Sequence, residues 1–187
     1  MTPKFLVELG EMQSRIEASG PSGALSCSDA MDRAVALVRS QTAAGRKVIF
    51  VGNGGSAAIA SHQAVDYWKN GGMRAVSFND GALLTCVGND FGYAHVFEKP
   101  IEMFADPGDV LIAISSSGRS ENILRAAAAG ARARCRVITL SGFGADNPLR
   151  RLGELNFYLP SDSYGYVEIT HLAICHCILD TIIAARG

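Results

Sequence analysis

Five short apolar runs, at residues 47–51, 75–78, 109–114, 136–140 and 155–159, alternate with stretches of helical periodicity. The first of them, Lys-Val-Ile-Phe-Val ahead of Gly52, lacks the apolar/polar alternation of a half-exposed strand and has the form of one buried on both faces. Strands of that kind, separated by helical stretches beginning near Ser56, Ala82, Ala94, Ser120 and Tyr166, predict an α/β fold. The expected architecture is a doubly wound five-stranded parallel sheet in flavodoxin-like order, flanked by helices. Ahead of it, Phe5, Leu9 and Met12 recur at helical spacing, and Ser28 and Asp29 precede Met31, Ala34, Val35 and Val38. Residues 1–46 are therefore expected to form a helical pair, and Gly45 closes the second helix. The 187 residues suit one domain, with these helices at 1–46 and the α/β core at 47–187.

A formal charge of −1 and singly scattered Lys and Arg give no electrostatic footprint for nucleic acid or for an anionic membrane surface. The N-terminal residues mix apolar and charged positions, unlike a signal peptide, and no segment is expected to reach the roughly 20 apolar residues of a membrane span. A cytoplasmic protein is the expectation. The 5 cysteines agree, since an odd number lying largely within apolar runs reads as reduced thiols. Cys175 and Cys177 form a C-x-C, but no second cysteine pair completes a structural zinc set.

In such sheets ligands bind at the carboxyl ends of the strands, so the loops there carry the functional information. After the first strand comes Gly52-Asn53-Gly54-Gly55-Ser56 and then a helix. The glycines permit a sharp turn and close approach, and Ser56 is expected to cap a helix whose free N–H groups face an anion. The loop is neither a G-x-G-x-x-G fingerprint nor a P-loop. After the run at 109–114 comes Ser115-Ser116-Ser117-Gly118-Arg119-Ser120, leading into another helix. Its hydroxyls and helix N-terminus make a second anion cradle built from neutral donors. Either loop alone is ordinary capping chemistry; two of them after different strands suit a phosphate.

These residues resemble the sugar isomerase domain family, and within it the phosphoheptose isomerase group. The resemblance covers nearly the whole chain: the leading helices, Gly-Asn-Gly-Gly-Ser with His62 six residues on, Val87-Gly88-Asn89-Asp90-Phe91-Gly92, the serine loop, Val137-Ile138-Thr139-Leu140-Ser141-Gly142, and Glu168 with His176 in the final helix. It implies isomerisation of a ketose phosphate to an aldose phosphate through an enediol(ate). By position, Asn53, Gly54, Gly55, Asn89, Asp90, Ser115, Ser116, Ser117 and Ser120 would hold the phosphorylated sugar, with Ser56 beside them in the first loop. It also implies a homo-oligomer, a tetramer with sites shared between subunits, and a Zn2+ ion. The matching metal positions are His62, Asp66, Glu168 and His176, of which Asp66, Glu168 and His176 are the acid/base candidates. Two of the four differ: the family has Glu where this chain has Asp66, and Gln where it has Glu168. The stretch from Asp66 to Asp90 is also a few residues shorter than is usual in the family.

His62 and Asp66, four apart, share a helix face and make a natural two-ligand arm. Glu168 and His176 are about 12 Å apart along a helix axis at about 1.5 Å per residue, so one ion reaches both only if they converge or belong to different subunits. Asp66 is shorter than Glu by about 1.5 Å of reach, and Glu168 adds a charge where the family has an amide. The two changes are expected to compensate, with Glu168 taking a base or ligand role. His95 and His171 are expected to be a surface and a packed histidine, and Arg119 either screens the phosphate or faces solvent. Two other functions stay open. One is a non-catalytic scaffold, such as relatives that lose the acid/base cluster and bind a replication initiator. The other is isomerisation or epimerisation of another phosphosugar in the same site.

Overall fold

The computed structural model describes residues 2–186. Its centre is a pair of strands with no exposed residue, β3 (Val48–Gly52) and β5 (Val110–Ser115), which lie side by side in parallel register with Val48 opposite Val110. β4 (Ala75–Ser77) pairs with the other side of β3, and β6 (Arg136–Ser141) and β7 (Leu155–Tyr158) follow β5 in turn. These are the five parallel strands the apolar runs predict, in the flavodoxin-like order.

The sheet itself has seven strands and is mixed, which corrects the five-stranded description. Between the two leading helices, α1 (Thr2–Gln13) and α2 (Cys27–Ala43), lies an antiparallel hairpin of β1 (Glu17–Gly20) and β2 (Gly23–Leu25). β1 adds antiparallel to β7, with Ala18 opposite Phe157. Strands of four and three residues are too short to display a period of two, and only Ala18 of β1 is buried, so this segment reads as a plain connection between helices. Gly23, at φ +113°, closes its turn.

Alternating side chains of each central strand feed two cores. Phe50, Ile112 and Ile114 pack on one face beneath α2, α3 (Gly55–Lys69) and α7 (Tyr164–Ala184), while Ile49, Val51, Leu111 and Ala113 pack on the other beneath α5 (Glu98–Phe104) and α6 (Glu121–Arg132). The helix expected across 94–104 is broken into a short 3-10 turn, Tyr93–His95, and α5. α4 (Gly81–Phe91) is apolar yet contributes no buried residue.

α7 corrects one further expectation. Its 21 residues are long and apolar enough to cross a membrane, with a mean hydropathy of 1.6 over the best 18-residue window. Here it lies in the first core, where Ile174, Cys175, Ile178 and Ile182 are buried. It also carries the buried polar residues Thr170 and His171. The buried Tyr67 hydroxyl of α3 donates to the Cys175 carbonyl of α7 at 3.1 Å, joining the two helices. They run side by side in the same direction, with Gly55 against Glu168 at one end and Gly71 against Leu179 at the other. Burial pushes the Cys175 thiol up to about 12 and Cys135 up to about 11, so both are inert in the core; Cys86 and Cys177 are exposed instead. Two residues apart on one helix, Cys175 and Cys177 face opposite ways and do not act as a pair.

The amino ends of β3 and β5 are clamped by charge. Lys47 Nζ meets the buried Asp109 carboxylate at 2.5 Å and Asp106 at 2.8 Å, while the Lys47 backbone N–H donates to Asp109 Oδ1 at 2.9 Å. This fixes the register of the two strands from below, and with it the relative height of the loops that leave their carboxyl ends.

Candidate active site

From β3 the chain goes through α3 on one face of the sheet to β4; it then crosses to the other side of β3, to β5, and leaves through α6 on the opposite face. The loops after β3 and β5 therefore part from each other, opening a crevice at the carboxyl ends of adjacent strands where an α/β sheet binds its ligands.

The first loop turns tightly at Gly52, where a Cβ would come within 2.5 Å of the Ser56 carbonyl oxygen. Gly54, at φ +54° and ψ −121°, is the residue that caps α3, and no side chain supplies the cap. This corrects the assignment of Ser56, which sits buried in the first helical turn. The Ala57 and Ala58 N–H groups donate to the Gly54 carbonyl at 3.0 and 3.1 Å, which leaves the Gly55 and Ser56 N–H groups for a ligand rather than for a capping hydroxyl. The second loop is folded by its own serines. Ser115 Oγ accepts from the Gly118 N–H at 3.1 Å, and Ser117 Oγ accepts from the Arg119 N–H at 3.2 Å. Gly118, at φ +60°, lies against the buried Asn147, whose amide donates to the Gly144 carbonyl at 2.9 Å and the Gly142 carbonyl at 3.2 Å. Arg119 turns away to Asp146 at 2.6 Å and does not line the crevice.

Between the loops is a cavity of about 240 Å³. Its wall is formed by Asn53, Gly54, Gly55 and Ser56 from the first loop, Ser115, Ser116, Ser117 and Ser120 from the second, and Tyr164 and Glu168 from α7. Asn89 and Asp90 are not part of it; they lie on exposed α4, where Asn89 Nδ2 donates to Asp90 Oδ1 at 2.9 Å. The Glu168 carboxylate lies directly against Gly55, in the space a Cβ there would need.

Farther along the same two helices a second group forms. His62, Asp66 and His176 bring their ligand atoms within 4.8 Å of one another, with His62 Nε2 at 3.3 Å from Asp66 Oδ2 and the two imidazole centroids 5.6 Å apart. Asn70 donates to the other Asp66 oxygen at 3.2 Å and orients it. Two imidazoles and one carboxylate are the donor set of an open three-ligand zinc site. Ligands on a tetrahedral ion lie about 3.4 Å apart, so the trio fits one ion after rotamer adjustments on the order of 1 Å. Glu168 is not in this group. It stands two turns before His176, at the glycine loop, so the α7 pair is divided between cavity and trio.

His171 is buried, and that burial pushes its imidazole down to about 4, so it is a neutral packed histidine. His95 is not a plain surface residue, since its Nδ1 lies 2.6 Å from the buried Glu98. Three site residues escaped the sequence reading. Tyr164 closes one side of the cavity, and Asn122 and Tyr93 bond directly to Asn53. An asparagine in the first turn of a helix, where its side chain competes with the backbone, was the one available signal for Asn122.

The SIS domain model matches residues 24–142, and the chain belongs to the SIS domain family. Within it, the chain is similar to proteins named phosphoheptose isomerase. It is 41% identical over 162 residues to that of Bradyrhizobium sp. strain BTAi1, covering 82% of this chain and 80% of the relative. The solved phosphoheptose isomerase of Francisella tularensis superposes with a TM-score of 0.82 at 27% identity over 96% of this chain and 92% of the other. That of Neisseria gonorrhoeae gives 0.78 at 30% identity over 83% and 86%.

Proposed function

We propose that the chain is an aldose–ketose isomerase that interconverts sedoheptulose 7-phosphate and a heptose 7-phosphate. The observation that carries this reading is the single cavity shared by both loops: it joins two helix N-termini and five serines, suited to a phosphate, to a carboxylate on the opposite wall. The serine loop holds the phosphate, and the glycine loop admits the sugar backbone. The reaction needs a base to take a proton from the carbon beside the carbonyl and return it to the former carbonyl carbon, while a proton moves between the two oxygens. Of the acid/base candidates only Glu168 lines the cavity, which favours it as the carbon base; Asp66 and His176 would bear on the oxygens through the ion they hold. A Zn2+ held by His62, Asp66 and His176 would act as a Lewis acid on the developing enediolate. In this arrangement the shorter Asp66 is compensated because the base role passes to Glu168.

The working form is a homo-oligomer, a tetramer by family resemblance, in which Asn89 and Asp90 complete a neighbouring subunit's site. In support, α4 is apolar and has no buried residue, and its Phe91 and the following Tyr93, Met103 and Phe104 are exposed. The chain acts as one domain, in the cytoplasm, without nucleic acid or membrane. A scaffold has no physical use for three ligands converging beside a phosphate cavity, which favours the enzyme. To test the function, purified protein is incubated with C5 to C7 ketose phosphates, with added zinc and after chelation. Formation of the aldose 7-phosphate that fails on chelation and returns with zinc is expected; conversion of none of them would sink the isomerase reading.

A further inference from the structure

Asn53 is the point at which three loops meet. Its Nδ2 donates to Asn122 Oδ1 at 2.9 Å, and Asn122 Nδ2 donates back to Asn53 Oδ1 at 2.9 Å, a reciprocal amide pair that ties the loop after β3 to the first turn of α6. The Tyr93 hydroxyl, from the 3-10 turn after α4, donates to the same Asn53 Oδ1 at 3.1 Å. Asn122 is 3% exposed, so its half of the pair is shielded from competing water.

A side-chain amide has two acceptor positions on oxygen and two N–H donors. In Asn53 both acceptor positions are filled, by Asn122 and Tyr93, and one N–H is spent on Asn122. A single N–H is all that remains for the cavity that Asn53 lines. A free asparagine could present either end of its amide to a ligand, whereas this one can only donate. A donor suits a carbonyl oxygen that becomes negative in an enediolate; it rejects nothing by charge and needs no reorganisation as the charge develops.

We propose that Asn122 and Tyr93 are positioning residues that hold Asn53 as a donor-only group toward the oxygen on which charge builds, and that they act on the reaction only through Asn53. The inference rests on the isomerase reading above. Because the donor matters most once charge has developed, loss of either residue lowers kcat more than it raises KM.

The test is a double-mutant cycle on sedoheptulose 7-phosphate turnover. Asn122→Asp keeps shape and acceptor but cannot donate to Asn53 Oδ1, and Tyr93→Phe removes one hydroxyl from an exposed ring. Expected losses in kcat are about a hundredfold for Asn122→Asp and on the order of fivefold for Tyr93→Phe, with KM within about twofold. In an Asn53→Ala background, the same two substitutions should cost less than about twofold. Losses that multiply undiminished in that background, or that fall on KM alone, would overturn the proposal. If wild-type protein converts no ketose phosphate, the isomerase reading fails, and the relay is judged by amide hydrogen exchange. Asn122→Ala and Tyr93→Phe should each speed exchange at residues 52–57, and unchanged exchange there with either variant would overturn it.

Discussion

The two ends of strands β3 and β5 solve opposite problems with the same backbone. At the amino end the buried charges are paired: Lys47 is held by Asp109 and Asp106, and Asp109 also accepts the Lys47 and Asp106 backbone N–H groups. At the carboxyl end the strands stop at Gly52 and Ser115, and the chain leaves helix N-termini, hydroxyls and one carboxylate facing a cavity. Stability and function thus separate along the length of the same two strands. Polar groups satisfied internally hold the register, and those left without protein partners are free to meet a ligand.

That separation can be broken from either end. The largest effect is expected at the carboxyl end: Glu168→Gln should lower kcat about a thousandfold, the scale of a lost general base, while the melting temperature is kept or rises as a carboxylate leaves the cavity. Steady-state kinetics beside a thermal melt check both halves. At the amino end Asp109→Ala should do the reverse. It leaves the largely buried Lys47 with the exposed Asp106 alone and takes the acceptor from the Lys47 and Asp106 backbone N–H groups, and should cost about 3 kcal/mol of stability in urea unfolding, with kcat per folded molecule nearly unchanged.

His171 is neutral in the fold and titrates near 6.5 once unfolded, so below that value the unfolded chain binds the extra proton. Stability is therefore complete above pH 6.5 and declines as pH falls toward about 4, by about 3 kcal/mol in total. Unfolding curves across that range should lose this component in a His171→Phe variant. The smallest effect belongs to a feature remote from both strand ends. Ser26 accepts the Asp29 N–H at 3.0 Å as the cap of α2, and Ser26→Ala should cost about 1 kcal/mol with no change in turnover.

What the sequence made legible follows the same division. The buried strands announce themselves because a run such as Val-Ile-Phe-Val has few alternatives, and the two loops because glycine and serine between strand and helix carry specific backbone chemistry. The hairpin at residues 17–25 was illegible because its pairing with β7 is made across more than a hundred residues, with only Ala18 buried in β1 to mark it. The cap of α3 was misplaced for a related reason. A serine after two glycines looks like a cap, but Gly54 takes a backbone conformation that leaves the job to no side chain. At the site, the four-residue spacing of His62 and Asp66 conveyed one helix face, and proximity to His176 came from the packing of α3 on α7. The separation of Glu168 from His176 was visible as axial rise along one helix. Which of the two would face the cavity was set by Gly55, where the absence of a Cβ leaves room for the Glu168 carboxylate.

On the proposed function, carbon-proton chemistry takes place in the cavity between the two loops, with Glu168 as its base. Solvent-deuterium incorporation into sedoheptulose 7-phosphate, followed by NMR for the wild type and Glu168→Gln at matched zinc content, tests it most directly. Exchange is expected at the carbon beside the carbonyl in the wild type, slowed at least about a hundredfold in the variant. Equal exchange rates in the two proteins would contradict it.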